Sequence, residues 1–142
     1  MIPGVQNYFP RETWQQTQYP VFGPLDDPSN NDTAVIHYTA MAKIDNGDVP
    51  GVLRSIQRDY VLNRGYSVGY LFAVAQSGAV YQLRGWEYQS AANAGENNHT
   101  VPILMLVDGA GTATAAALDS ARKIIAEAQR RAESKEIGRA HV

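Results

Sequence analysis

Hydrophobic and polar positions divide the chain into clear segments. Thr33-Ala-Val-Ile-His-Tyr-Thr-Ala40 is short, β-branched and preceded by Asn31-Asp32, which predicts a strand. It is apolar on both parities except at His37 and Thr39, the pattern of a central strand covered on both faces. Asn46-Gly47-Asp48 predicts a turn, with Asp48 capping a helix that carries Pro50 in its first turn. Val52, Leu53, Ile56 and Tyr60 recur at helical spacing to about residue 63, and Gly65 supplies a left-handed stop. Residues 68–75 and 79–84, joined by Gln76-Ser77-Gly78, predict a β-hairpin. Residues 85–99 are polar and read as a long surface loop, a length more often functional than idle. Val101–Val107 predicts a strand with Pro102 near its start, where a missing N–H costs least. Asp108-Gly-Ala-Gly111 breaks it.

Residues 112–133 are the clearest helix, with Leu118, Ala121, Ile124, Ile125, Ala128 and Ala132 tracing one apolar stripe. Ile137–Val142 reads as the opening of a further strand. Residues 1–32, punctuated by Tyr19-Pro20, Gly23-Pro24 and Asp27-Pro28, read as an irregular arm anchored by Trp14, Tyr19 and Phe22. The expected architecture is α/β: a mixed central sheet flanked by helices, in one domain over 33–142 behind the arm.

Composition narrows the function classes. The chain has 142 residues, 44% of them hydrophobic, enough for a real core. Absence of cysteine excludes a disulfide framework, a thiol nucleophile and a thiolate metal site within these residues. A net charge of −2 argues against nucleic acid as a partner, and no apolar run is long enough for a membrane span. Residues 111–142 are the basic part, as expected for an amphipathic helix with a basic wet face. Met1–Glu12 shows neither the basic nor the apolar region of a signal peptide.

Three histidines are candidates for chemistry: His37, His99 and His141. His37 interrupts an apolar strand, and His141 ends a short segment after the long helix. Imidazoles projecting from strand ends commonly bind zinc, although an open catalytic site needs three protein ligands. Trp86 and Tyr88 offer stacking faces in the long loop, and Asn93, Asn97 and Asn98 offer uncharged hydrogen bonds.

An ordered series carries a family resemblance: Ala34-Val-Ile-His-Tyr-Thr-Ala40, Gly65-Tyr-Ser-Val-Gly-Tyr-Leu-Phe72, Ser77-Gly-Ala-Val-Tyr81, Arg84-Gly-Trp86 and Ala91-Ala-Asn-Ala-Gly-Glu-Asn97. Over residues 33–142 the chain resembles the zinc-dependent N-acetylmuramoyl-L-alanine amidases of type 2, which include bacteriophage endolysins and the peptidoglycan recognition proteins. The resemblance implies that His37 and His141 are zinc ligands. Tyr70 would stand beside the metal-bound water and donate to the oxyanion. Tyr38, Arg84, Trp86, Asn93 and Asn97 would border the muramyl-peptide groove, Asn93 replacing a family histidine. The reaction implied is hydrolysis of the amide between N-acetylmuramic acid and L-alanine by a zinc-activated water. The alternative is a peptidoglycan-binding or phage structural module with the same fold. The third family ligand, a Cys or Asp beyond the second histidine, has no counterpart before Val142, so the domain is expected to be cut short there. His99 and Asp108 are the nearby substitutes. A monomer is expected, held in the host cytoplasm until its release to the cell wall, or carried on the virion.

Overall fold

The computed structural model describes residues 2–15, 25–27, 30–39, 46–108 and 112–140, with side chains to Glu133. Its elements are β1 (Tyr8–Phe9), α1 (Arg11–Trp14), β2 (Thr33–Tyr38), α2 (Val49–Arg64), β3 (Phe72–Val74), β4 (Val80–Gln82), β5 (Thr100–Met105) and α3 (Ala115–Ala140). The strands form one mixed sheet in the order β1-β4-β3-β5-β2. Among the described strand pairs of the sheet, β3–β4 is antiparallel and the others are parallel.

The α2 boundaries follow from local chemistry. The Asp48 side chain accepts from the Gly51 amide at 3.2 Å, capping the first turn beside Pro50. Gly65 takes φ +77° at the other end, and its amide donates to the carbonyls of Tyr60 and Val61. The hairpin forms as expected, with its ladder over 72–74 and 80–82 and further backbone bonds from Ala75 to Ala79 and from Leu83 to Leu71.

The fully buried interior strand is β5, flanked by β3 and β2 and buried at all six positions, and not β2. Among the described residues β2 pairs only with β5, and Ile36 and Tyr38 are 40% and 45% exposed. The apolar composition of β2 revealed that it packs against something, but composition does not count neighbours. β2 lies at the sheet edge.

Each sheet face carries its own core. On the α2 side, Leu53 and Tyr60 meet Ala73, Tyr81 and Leu104. On the α3 side, Ala117, Ala121 and Ile124 meet Phe72, Val74, Val80, Ile103 and Met105. The buried stripe of α3 is therefore rotated from the expected one: Leu118 and Ile125 stay exposed while Ala117, Ser120 and Glu127 are buried. Small residues at 117, 120 and 121 let the helix approach the sheet, and the Ser120 hydroxyl donates to the Gly78 carbonyl. The helix runs through 137–140, where a strand was expected; 141–142 lie outside the described residues.

The arm also departs from the expectation of irregularity. β1 adds a parallel strand to β4, Trp14 is 1% exposed, and its Nε1–H donates to the Gln82 carbonyl at 2.7 Å. Arg11 donates to the Leu83 carbonyl at 2.9 Å. Tyr19 and Phe22 lie outside the described residues. No described helix is long and apolar enough to cross a membrane.

Candidate functional site

His37 stands one residue before the end of β2 and pairs in register with Leu104, so it shares the sheet face covered by α2. Its half-buried ring meets Tyr70 edge-on, with centroids 5.0 Å apart. Tyr70 lies in the segment entering β3, and the aromatic wall continues to Tyr60 at 6.1 Å and from Tyr60 to Tyr66 at 6.0 Å. Burial, followed by a hydrogen bond with Tyr70, holds the Tyr60 phenol well above the usual tyrosine range. The guanidinium of Arg64 lies 4.2 Å over the Tyr60 ring, closing that end of the wall.

The loop 85–99 lies against this wall. Its Asn93 places Oδ1 3.0 Å from Nε2 of His37. The loop is fixed from within: the Asn97 Oδ1 accepts from the Asn93 amide at 2.9 Å and from the Ser90 hydroxyl at 3.1 Å. It is also fixed to the strand entry, because the Ala91 amide donates to the Gly69 carbonyl at 2.9 Å. A Cβ on Gly69 would fall 2.6 Å from the carbonyl carbon and oxygen of Ala91. Gly69→Ala is accordingly expected to cost about 1–3 kcal/mol, because the obstacle is backbone and has no rotamer to change. Chemical denaturation measures the loss.

Arg84 is 2% exposed and serves as a bracket. It donates from Nε to the Val68 carbonyl (3.0 Å), from Nη1 to Gln89 (2.9 Å) and from Nη2 to Ser67 (3.1 Å). It thus ties together the two segments that carry Tyr70 and Asn93, where the sequence placed it at the groove surface. Burial draws its pKa down from the ordinary arginine value.

Two expected groove residues face the other side. Tyr38 pairs in register with Met105 and lines a pocket of about 200 Å³ with Ile36, Leu118 and Ile125 on the α3 side. Trp86 also packs there, 4.8 Å from the Phe72 ring and under the Arg131 guanidinium at 4.7 Å. The structure therefore brings together His37, Tyr70 and Asn93, with Asn97 supporting Asn93, and places Tyr38 and Trp86 across the sheet. Sequence reasoning missed Gly69, Ser90, Thr100 and Tyr60. Only Gly69 carried a local signal, a glycine inside an apolar run.

His99 belongs to a separate clasp at the loop edge. Its Nδ1 lies 2.7 Å from Asp32 Oδ1, and its Nε2 contacts Glu96. These carboxylates, Glu96 first, raise the His99 pKa, while Thr33 and then His99 lower that of Asp32. A raised histidine pKa stabilises the fold fully below the unfolded value near 6.5 and loses that contribution as pH rises through the folded value. A lowered carboxylate pKa stabilises above about 3.8 and fails as pH falls through the folded value. His99→Gln should therefore flatten the fall in stability on the alkaline side of pH 6.5, as read from thermal melts across pH.

Among the described residues, no three His, Cys, Asp or Glu side chains are placed to hold a metal ion such as zinc. Among the described residues His37 is the single imidazole of the site, His99 is held by its own carboxylates, and His141 lies outside the described residues. The described donors fall short of the three that an open zinc site uses.

A mixed five-stranded sheet with helices on both faces and a histidine on the edge strand defines an α/β domain. The model of the N-acetylmuramoyl-L-alanine amidase family matches residues 27–141, and the chain belongs to that family. No curated protein matches the chain. Among solved structures it is similar to bumblebee PGRP-SA, with a TM-score of 0.77, 22% identity, and coverage of 89% of this chain and 76% of that one. Human PGRP-IBETAC, solved with glycosamyl muramyl pentapeptide, gives a TM-score of 0.74 at 24% identity, covering 89% of this chain and 77% of that one. Peptidoglycan recognition protein-LE, solved with tracheal cytotoxin, a monomeric diaminopimelic acid-type peptidoglycan, gives 0.74 at 26% identity over 87% and 74% of the two chains.

Proposed function

We propose that this chain recognises the muramyl-peptide part of peptidoglycan and hydrolyses the amide between N-acetylmuramic acid and L-alanine. The observation that carries the reading is the placement of His37 against Tyr70 and Asn93, beside loop 85–99, in a chain of the amidase family. Two similar structures, the human protein and protein-LE, were solved with muramyl peptides, which supports the same ligand class here. The Tyr70 phenol supplies a donor for an oxyanion developing on the scissile carbonyl. Asn93 and Asn97, whose Oδ1 atoms are already engaged within the site, hold the loop that would receive the sugar and peptide.

Zinc belongs to this reading, with His37 as its one described donor. Metal content per chain, compared with that of His37→Ala, measures it. The main experiment incubates the chain with purified peptidoglycan and zinc and follows new amino-terminal L-alanine. Release of L-alanine termini supports the reading; absence of both release and binding overturns it. The shortage of described donors favours a second reading, binding without cleavage. Co-sedimentation with peptidoglycan and no L-alanine release would establish that reading instead.

A further inference from the structure

We propose that Asn93 is a positioning residue that holds the neutral imidazole of His37 with its proton on Nε2, so that Nδ1 is the nitrogen left with a free lone pair. The Glu96 carbonyl can only accept, and it accepts from the Thr100 hydroxyl at 2.9 Å. A hydroxyl has one proton, so Thr100 Oγ1 can only accept from its remaining neighbours. The Asn93 amide is such a neighbour, its Nδ2 standing 3.4 Å from Thr100 Oγ1. Nδ2 must face Thr100, because the flipped amide would set two acceptor oxygens against each other. That places Asn93 Oδ1 on His37, 3.0 Å from Nε2, and an acceptor there requires an N–H on the ring.

Supporting bonds keep the amide in place. The Asn93 backbone N–H is held by Asn97 Oδ1 at 2.9 Å, and the same oxygen takes the Ser90 hydroxyl proton at 3.1 Å. With Ser90 and Thr100 both committed as donors, their 3.4 Å contact cannot reverse the chain of polarity without abandoning Asn97 or Glu96. A backbone carbonyl three residues along the loop thus sets which nitrogen of His37 is protonated. The Nδ1 lone pair is then the one offered to a proton or another electron-poor group. Its use in catalysis rests on the function proposed above; the tautomer does not.

The test is a nitrogen-edited proton spectrum of the full chain labelled with ¹⁵N at about pH 8, where imidazoles are largely neutral. His37 is assigned by its loss in His37→Gln. The expected result is an Nε2–H signal protected from exchange with water and an unprotonated Nδ1. Asn93→Ala should lose that signal to exchange. Asn93→Asp should keep it, since a carboxylate is also an acceptor, and Thr100→Val should weaken it by freeing the amide to flip. Should Asn93→Ala fail to fold, the Thr100→Val and Asn93→Asp pair decides. A proton found on Nδ1, or a signal unchanged in both Asn93→Ala and Thr100→Val, overturns the proposal. A chain with the expected spectrum that neither binds nor cleaves peptidoglycan overturns the proposed function and leaves this assignment standing.

Discussion

The Arg84→Met variant is expected to lose about 3–5 kcal/mol of stability, read as a lower urea midpoint with little change in slope. Methionine refills much of the space but offers no donor. The carbonyls of Ser67, Val68 and Gln89 would then lose their charge-assisted bonds where water has little access. The loss should be felt at the site, because the bracket joins the strand entry bearing Tyr70 to the loop bearing Asn93. Arg84→Lys should recover only part of the stability, since one ammonium lacks the planar fork that reaches three carbonyls at once. If Arg84→Met unfolds with the native midpoint, the bracket contributes nothing and the loop is held by its own bonds alone.

His37→Ala is expected to lower release of L-alanine from peptidoglycan by at least about 10²-fold, since losing the proposed metal donor itself should cost more than losing an outer-shell partner. The imidazole is only half-buried and its described bond is to Asn93, so the fold should survive the change. Thermal melts of the variant check that, and co-sedimentation separates lost chemistry from lost binding. Tyr70→Phe keeps the ring that packs on His37 and removes only the hydroxyl, so its effect should be smaller. Release by His37→Ala at the native rate would remove His37 from the machinery and locate the chemistry elsewhere.

Much of the local structure was legible because short-range chemistry dictates it. Asp48 and Gly65 bound α2 through their own side chain and backbone, and Gly78 at φ +89° turns the hairpin locally, while Asn46, Thr114 and Ser120 brace that turn from outside. Of the site, His37, Tyr70 and Asn93 could be named from an ordered motif series. Their roles relative to one another could not, because they are separated by long stretches of chain and meet only across the sheet and loop.

Arg84 shows why residue type alone misplaces a side chain. An arginine beside a polar loop reads as a surface contact, but three backbone carbonyls of neighbouring segments converge on it and make burial tolerable. Tyr38 and Trp86 were misplaced for another reason: motif proximity says nothing about which face of a sheet a side chain takes. Alternation along β2 puts Tyr38 opposite His37, and packing on Phe72 draws Trp86 to the α3 side.

The sequence by itself determined the α/β class, the caps and turns, and the histidine and tyrosine around which a site could form, since each depends on residues close together in the chain. Tertiary structure alone decided that β2 is an edge and β5 an interior strand, which face each candidate takes, and that a polar chain from Glu96 through Thr100 and Asn93 reaches His37. Those outcomes depend on strand order and on hydrogen bonds between segments distant in sequence, and a one-dimensional pattern of polar and apolar residues carries no record of either.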